Sequence, residues 1–160
     1  MKKRFLGALL ALAVVGSASV FATGIGVQGG YNPTSGAAGA ALTFKLDSFD
    51  GVFAVDASFA NGQFQAAGLT VDYWLQNPRL TGMIHYYWGP GLAVSYWTQA
   101  PAIYVAFRAV AGVNVFPVKF LELYAQVAWQ PGIYINFDSG VGTTDWWKSF
   151  PVNAGVRFWF

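Results

Sequence analysis

FPVNAGVRFWF, residues Phe150 to Phe160, alternates without a break. Phe150, Val152, Ala154, Val156, Phe158 and Phe160 take every second position, with Pro151, Asn153, Gly155, Arg157 and Trp159 between them. A period of two sends these sets to opposite faces of an extended strand, so one face is apolar along its whole length. The stretch is a strand with one greasy side, and the rest of the chain has to supply its neighbours.

Upstream the same alternation recurs. Ile25, Val27, Gly29 and Tyr31 share one face of a first strand, turned by Asn32-Pro33-Thr34-Ser35-Gly36. In a second, Ala40, Leu42, Phe44 and Leu46 alternate with Ala41, Thr43 and Lys45, and Asp47-Ser48-Phe49-Asp50-Gly51 closes the hairpin. A third sets Phe53, Val55, Ala57 and Phe59 against Asp56 and Ser58 and turns at Asn61-Gly62. The fourth, about Gln65 to Gln76, opposes Leu69, Val71, Tyr73 and Leu75 to Thr70, Asp72, Trp74 and Gln76, with a tight turn at Asn77-Pro78-Arg79.

Leu80 to Tyr96 is a fifth strand, apolar on both faces, and Gly89-Pro90-Gly91 inside it predicts a kink or bulge. Ile84, Tyr86 and Trp88 are assigned outward, His85 and Tyr87 inward, and no register is assigned beyond Gly89. After a loop from Trp97 to Ala102, a sixth strand opposes Ile103, Val105, Phe107, Ala109, Ala111, Val113 and Val115 to Tyr104, Arg108 and Asn114. Phe116-Pro117-Val118-Lys119 turns into a seventh, where Leu121, Leu123, Ala125, Val127 and Trp129 oppose Glu122, Tyr124, Gln126 and Gln130. Pro131-Gly132 breaks its far end, and Asp138 to Ser149 reads as a longer loop into the terminal strand.

Composition points the same way. Charged residues are 10% of the 160 and aromatics 18%, where a soluble domain carries about 25% charge. Outside the N-terminus no clean run reaches the roughly 20 apolar residues of a membrane helix. An apolar chain whose apolar residues alternate with polar ones is what a closed barrel with one face in lipid requires. The fold class expected is all-β, an eight-stranded antiparallel up-and-down transmembrane β-barrel spanning residues 23–160.

Residues 1–22 read as a cleaved secretory signal peptide: Lys2, Lys3 and Arg4, an apolar run from Phe5 to Val15, then Val20-Phe21-Ala22 at the cleavage site. The other reading is an uncleaved anchor helix. Removing those three basic residues leaves six Lys and Arg against seven Asp and Glu, a net charge near −1. No clustered basic surface for nucleic acid is left. The absence of cysteine excludes a lipid anchor, disulfides and thiolate metal sites.

The final strand resembles the C-terminal signal of bacterial outer-membrane barrels, with Val156, Phe158 and Phe160 at the matching positions. The segment 23–160 resembles small barrels of the OmpX and OmpA-transmembrane-domain type, with OmpW-like and uncharacterised outer-membrane barrel domains beside them. That resemblance implies the outer membrane as location, reached through the periplasm. It implies the membrane lipids and the barrel-assembly machinery as partners. With the N-terminus at the periplasmic end, the connections at 47–51, 76–80 and 117–120 become short periplasmic turns and those near 32–37, 61–64, 97–102 and 138–149 outer loops, the turns shorter than the last two loops.

Six charges fall on inward positions: Lys45, Asp56, Asp72, Arg108, Glu122 and Arg157, three of each sign. A barrel of eight strands is just wide enough to be filled by its own side chains, so these form a paired lumen network, or else an ion path that opens when pairs exchange. His85, the single histidine, has no ligand partners at metal spacing. Lipid-A deacylase barrels carry His-x-Ser on one strand, whereas Tyr87 stands two after His85 here. No cofactor, metal or catalytic residue is expected. Trp97, Trp146 and Trp147 belong to the outer aromatic belt or to a surface contact with an unidentified partner. The functional reading is a non-enzymatic membrane barrel with a structural or surface-interaction role. The alternatives are a narrow channel for small or hydrophobic solutes and a soluble lipocalin-like periplasmic carrier.

Overall fold

The computed structural model describes residues 23–99, 101–137, 140–144 and 148–160. The leader, Trp146 and Trp147 lie outside them. Among the described residues eleven strands form one antiparallel sheet. They are β1 (Thr23–Asn32), β2 (Ala37–Leu46), β3 (Phe49–Ala60), β4 (Gln63–Tyr73), β5 (Arg79–Thr81), β6 (Ile84–Trp97), β7 (Ala102–Val118), β8 (Leu121–Trp129), β9 (Gly132–Asn136), β10 (Gly140–Thr143) and β11 (Val152–Trp159). Eight of them close the ring β1-β2-β3-β4-β6-β7-β8-β11, and the seam is the pairing of β1 with β11 from Gly24↔Trp159 to Tyr31↔Val152.

Closure gives each of the eight ring strands a partner on both sides, the condition for a sheet to cross lipid. The side chains obey it too. Val27, Leu42, Val55, Leu69, Leu92, Phe107, Val127 and Phe158 lie exposed on the outside, whereas Lys45, Asp72, Arg108, Glu122 and Arg157 are buried within. A soluble carrier needs the reverse arrangement, an apolar calyx under a charged exterior. At the end holding Thr23 and Phe160, the terminus end, Phe49, Tyr73 and Phe120 are exposed aromatics near strand ends, and at the other end Tyr31, Phe59, Phe64 and Tyr96 are. Such rings belong at the two membrane interfaces.

Local chemistry accounts for the turns. Asn61 and Gly62, at φ 52° and 74°, make the two-residue connection of β3 to β4, the positive-φ pair that matches strand twist.

Three expectations are corrected. First, Gly89-Pro90-Gly91 carries no bulge against β7, where Gly89↔Val110, Pro90↔Ala109 and Gly91↔Arg108 run in unbroken register. The irregularity lies on the partner strand. Regular β4–β6 pairing stops at Asp72↔Gly91, and beyond it Leu75 N–H donates to Trp88 O while Gln76 bridges Trp88. Pro90 has no N–H to give, so β4 bends there. Second, the turn expected at 76–80 is longer and folds β5 back on β6 with Gly82 at φ 53°.

Third, the chain beyond Pro131 is not a plain loop. β9 continues along β7 in the register of β8, from Ala109↔Trp129 to Ala106↔Gly132, with Phe107 N–H donating to Pro131 O between them. β10 then folds back on β9. Proline interrupts the strand without ending it, because its carbonyl still accepts. The connections at 33–36, 61–62 and 98–101 are short.

Candidate functional site

The inward positions of the ring build two different halves. At the terminus end Trp74 and Tyr87, from β4's extension and β6, stack with centroids 3.6 Å apart and planes 13° apart. Lys45 Nζ lies 3.6 Å from the same indole centroid, so ring and ammonium occupy opposite faces. Val52, Val110 and Ala128 complete this buried layer from three other strands. The lumen is plugged across its width here.

Around the plug the charges pair. Arg157 Nη1 donates to Glu122 Oε2 at 2.7 Å, with both side chains fully buried. Glu122 also accepts from Asn114 Nδ2 at 2.9 Å and Trp159 Nε1 at 3.0 Å. Three donors on one carboxylate offset much of its desolvation cost. Arg157 further lies 4.5 Å over the Tyr124 ring. Arg108 is bidentate to Asp72, Nε to Oδ1 at 2.7 Å and Nη2 to Oδ2 at 3.1 Å, and also donates to Gln130 Oε1. Tyr87 donates to Gln126 Oε1 and Tyr124 to Gln28 Oε1, each at 2.9 Å.

Towards the other end the packing opens. A cavity of about 170 Å³ runs from rim residues Tyr31, Asn32 and Ser35 down to Arg108 and Gln28, room for roughly five or six waters. Among the described residues Asp56 joins no ion pair here. Thus of the six inward charges four form two ion pairs, Lys45 rests on an indole and Asp56 faces the cavity. The aromatic and amide members of the network, Trp74, Tyr87, Tyr124 and Gln126, were visible only as inward residues. For Tyr87 and Tyr124 the signal is the glycine opposite: a Cβ on Gly112 would stand 2.5 Å from Tyr87 Cζ, and one on Gly155 2.6 Å from Tyr124 Cζ.

Trp97 is not in a loop. It ends β6, pairs with Ala102 and Ala66, and lines the cavity, its ring 5.8 Å from Tyr134 in an edge contact. Its place is the lumen mouth rather than the lipid belt. His85 is half-buried, edge-on to Phe116 at 5.9 Å. Val156, Phe158 and Phe160 follow the outer face, with Phe158 and Phe160 exposed. Among the described residues no three His, Asp or Glu side chains converge as metal ligands would.

Solved structures share this ring. The N-terminal β-barrel domain of Pseudomonas aeruginosa OprF aligns over 87% of this chain and 97% of its own, at 15% identity and a TM-score of 0.52. The chain folds as a small outer-membrane β-barrel. Neisserial surface protein A aligns over 88% of this barrel and 97% of its own chain, also at 15% identity, with a TM-score of 0.50. Such identities speak to fold alone. No protein-family model matches the sequence, and a search of curated proteins finds no match.

Proposed function

We propose that the protein is an integral outer-membrane barrel whose lumen does not conduct and whose role is structural or surface-interactive rather than catalytic. The observation that carries this reading is the plug. Tyr87 is 1% exposed, Trp74 2% and Glu122 and Arg157 0%, and such close packing supports a closed terminus half. In this reading the termini face the periplasm, Phe158 and Phe160 are presented to the assembly machinery, and the cavity opens to the exterior.

The second reading is a narrow channel for small or hydrophobic solutes, and the cavity favours it by opening half of the path already. Planar-bilayer recording separates the two. The wild-type barrel is expected to give no stepwise current, and a Trp74→Ala, Tyr87→Ala double variant to give steps. Unitary steps from the wild type at moderate voltage would overturn the closed lumen and favour the channel.

A further inference from the structure

The cavity has a specific architecture that neither a structural role nor a plug requires. One row of register partners crosses it on the inner face: Ala41↔Asp56, Asp56↔Gly68, Gly68↔Ser95, Ser95↔Tyr104, Tyr104↔Tyr134. A carboxylate stands at one side and two stacked phenol rings at the other, 4.6 Å apart at 29°. Between them stand glycine and serine. From Asp56 to Tyr104 there are three strand intervals, about 14 Å of barrel wall, and the smallest side chains fill the middle of it.

The carboxylate leans into that gap. A Cβ built on Gly68 would lie 2.9 Å from Asp56 Oδ1, 3.1 Å from Oδ2 and 3.0 Å from the Ser95 Cβ. Among the described residues it makes no ion pair of its own, because Arg108, the cation whose field acts on it, spends its Nε and Nη2 on Asp72 and its Nη1 on Gln130. Among the described residues the cavity lining contains no lysine and no second cation. Trp97, one step nearer the rim than Ser95 on β6, adds an indole beside Tyr134.

We propose that this cavity is a binding site for a small organic cation, an ammonium compound of choline size. Asp56 supplies the counter-charge. Tyr104, Tyr134 and Trp97 supply π faces, which attract ammonium groups most where water is scarce. A volume of about 170 Å³ accommodates such a molecule, and a few polar groups among apolar walls is the usual make-up of a small-ligand site. Charge selects against anions, since an anion would meet Asp56 with no free cation to offset it.

Isothermal titration of the protein folded in detergent micelles tests this, with choline chloride as probe and 3,3-dimethylbutanol, its uncharged isostere, and glucose as comparisons. Choline should bind saturably at one site, and the two neutral compounds should not. Asp56→Asn, which preserves shape, should weaken choline at least about tenfold, the equivalent of 1.4 kcal/mol. Ser95→Leu, which fills the gap, should abolish binding. Heat-modifiable gel mobility verifies folding of each variant; should the leucine variant not fold, the asparagine variant decides. Absence of binding by the folded wild type, equal affinity in Asp56→Asn, or equal affinity for dimethylbutanol or glucose would each overturn the site. Conductance plays no part in these readouts, so the outcome is separate from that of the closed lumen.

Discussion

The two halves of one lumen, walled by the same strands, are packed on different rules. At the terminus end two large inward rings lie over glycines of neighbouring strands: Tyr87 on Gly112, Tyr124 on Gly155. The space freed by one residue is taken up by the next, and the interior closes. At the other end Tyr104 lies over Gly132 in the same way, but Gly30, Gly39 and Gly68 line the cavity with no ring laid across them, and Asp56 reaches over Gly68. Small residues alone do not make a hole. They make one only where no long neighbour is laid across them.

Four substitutions test that contrast, in falling order of effect. Glu122→Ala strands a fully buried Arg157 together with the donors of Asn114 and Trp159, and should cost about 3–5 kcal/mol of stability, read from the urea midpoint of the lipid-folded barrel. A loss below about 1 kcal/mol would mean the closed half is wetter than its packing indicates. Gly26→Ala puts a Cβ 2.0 Å from the Val156 carbonyl oxygen at the β1–β11 seam. About 2–3 kcal/mol is expected, together with partial loss of the compact gel band; Gly29→Ala, with nothing within 4 Å, is the matched control.

Tyr87→Phe keeps the stack on Trp74 and removes only the bond to Gln126. About 1–2 kcal/mol should follow, the cost of an acceptor left unpaired in a dry interior. Least affected is Asp56→Asn. With no ion pair to break on the cavity side, its stability should stay within about 0.5 kcal/mol of wild type, even where ligand binding is lost. If Asp56→Asn and Glu122→Ala proved equally damaging in the same urea titration, the division into a packed and an open half would fail.

Much of this was legible in residue order. In β2, β3 and β7 the inward set, Lys45, Asp56, Tyr104, Arg108 and Asn114, follows directly from alternation, and the strand boundaries near Asn61-Gly62 follow from turn chemistry. Register around Gly89-Pro90-Gly91 was not legible, because alternation within one strand says nothing about which partner absorbs a missing N–H. Here β4 bends and β7 does not. The hairpin of β9 and β10 was hidden for a similar reason: Pro131 reads as a stop locally, while its carbonyl holds the strand to Phe107. Trp97 was misplaced because an aromatic at a strand end suits a membrane interface and a lumen mouth equally well.

By itself the amino-acid order determined that this chain forms alternating strands with apolar and polar faces, since a period of two is a property of each strand alone. It also determined which charges share the inside. Tertiary structure alone decided who meets whom: Arg157 with Glu122, Arg108 with Asp72, Lys45 with an indole, and Asp56 with open space. Those partnerships depend on the stagger between strands and on distances across the closed ring. Neither quantity exists until β1 has paired with β11.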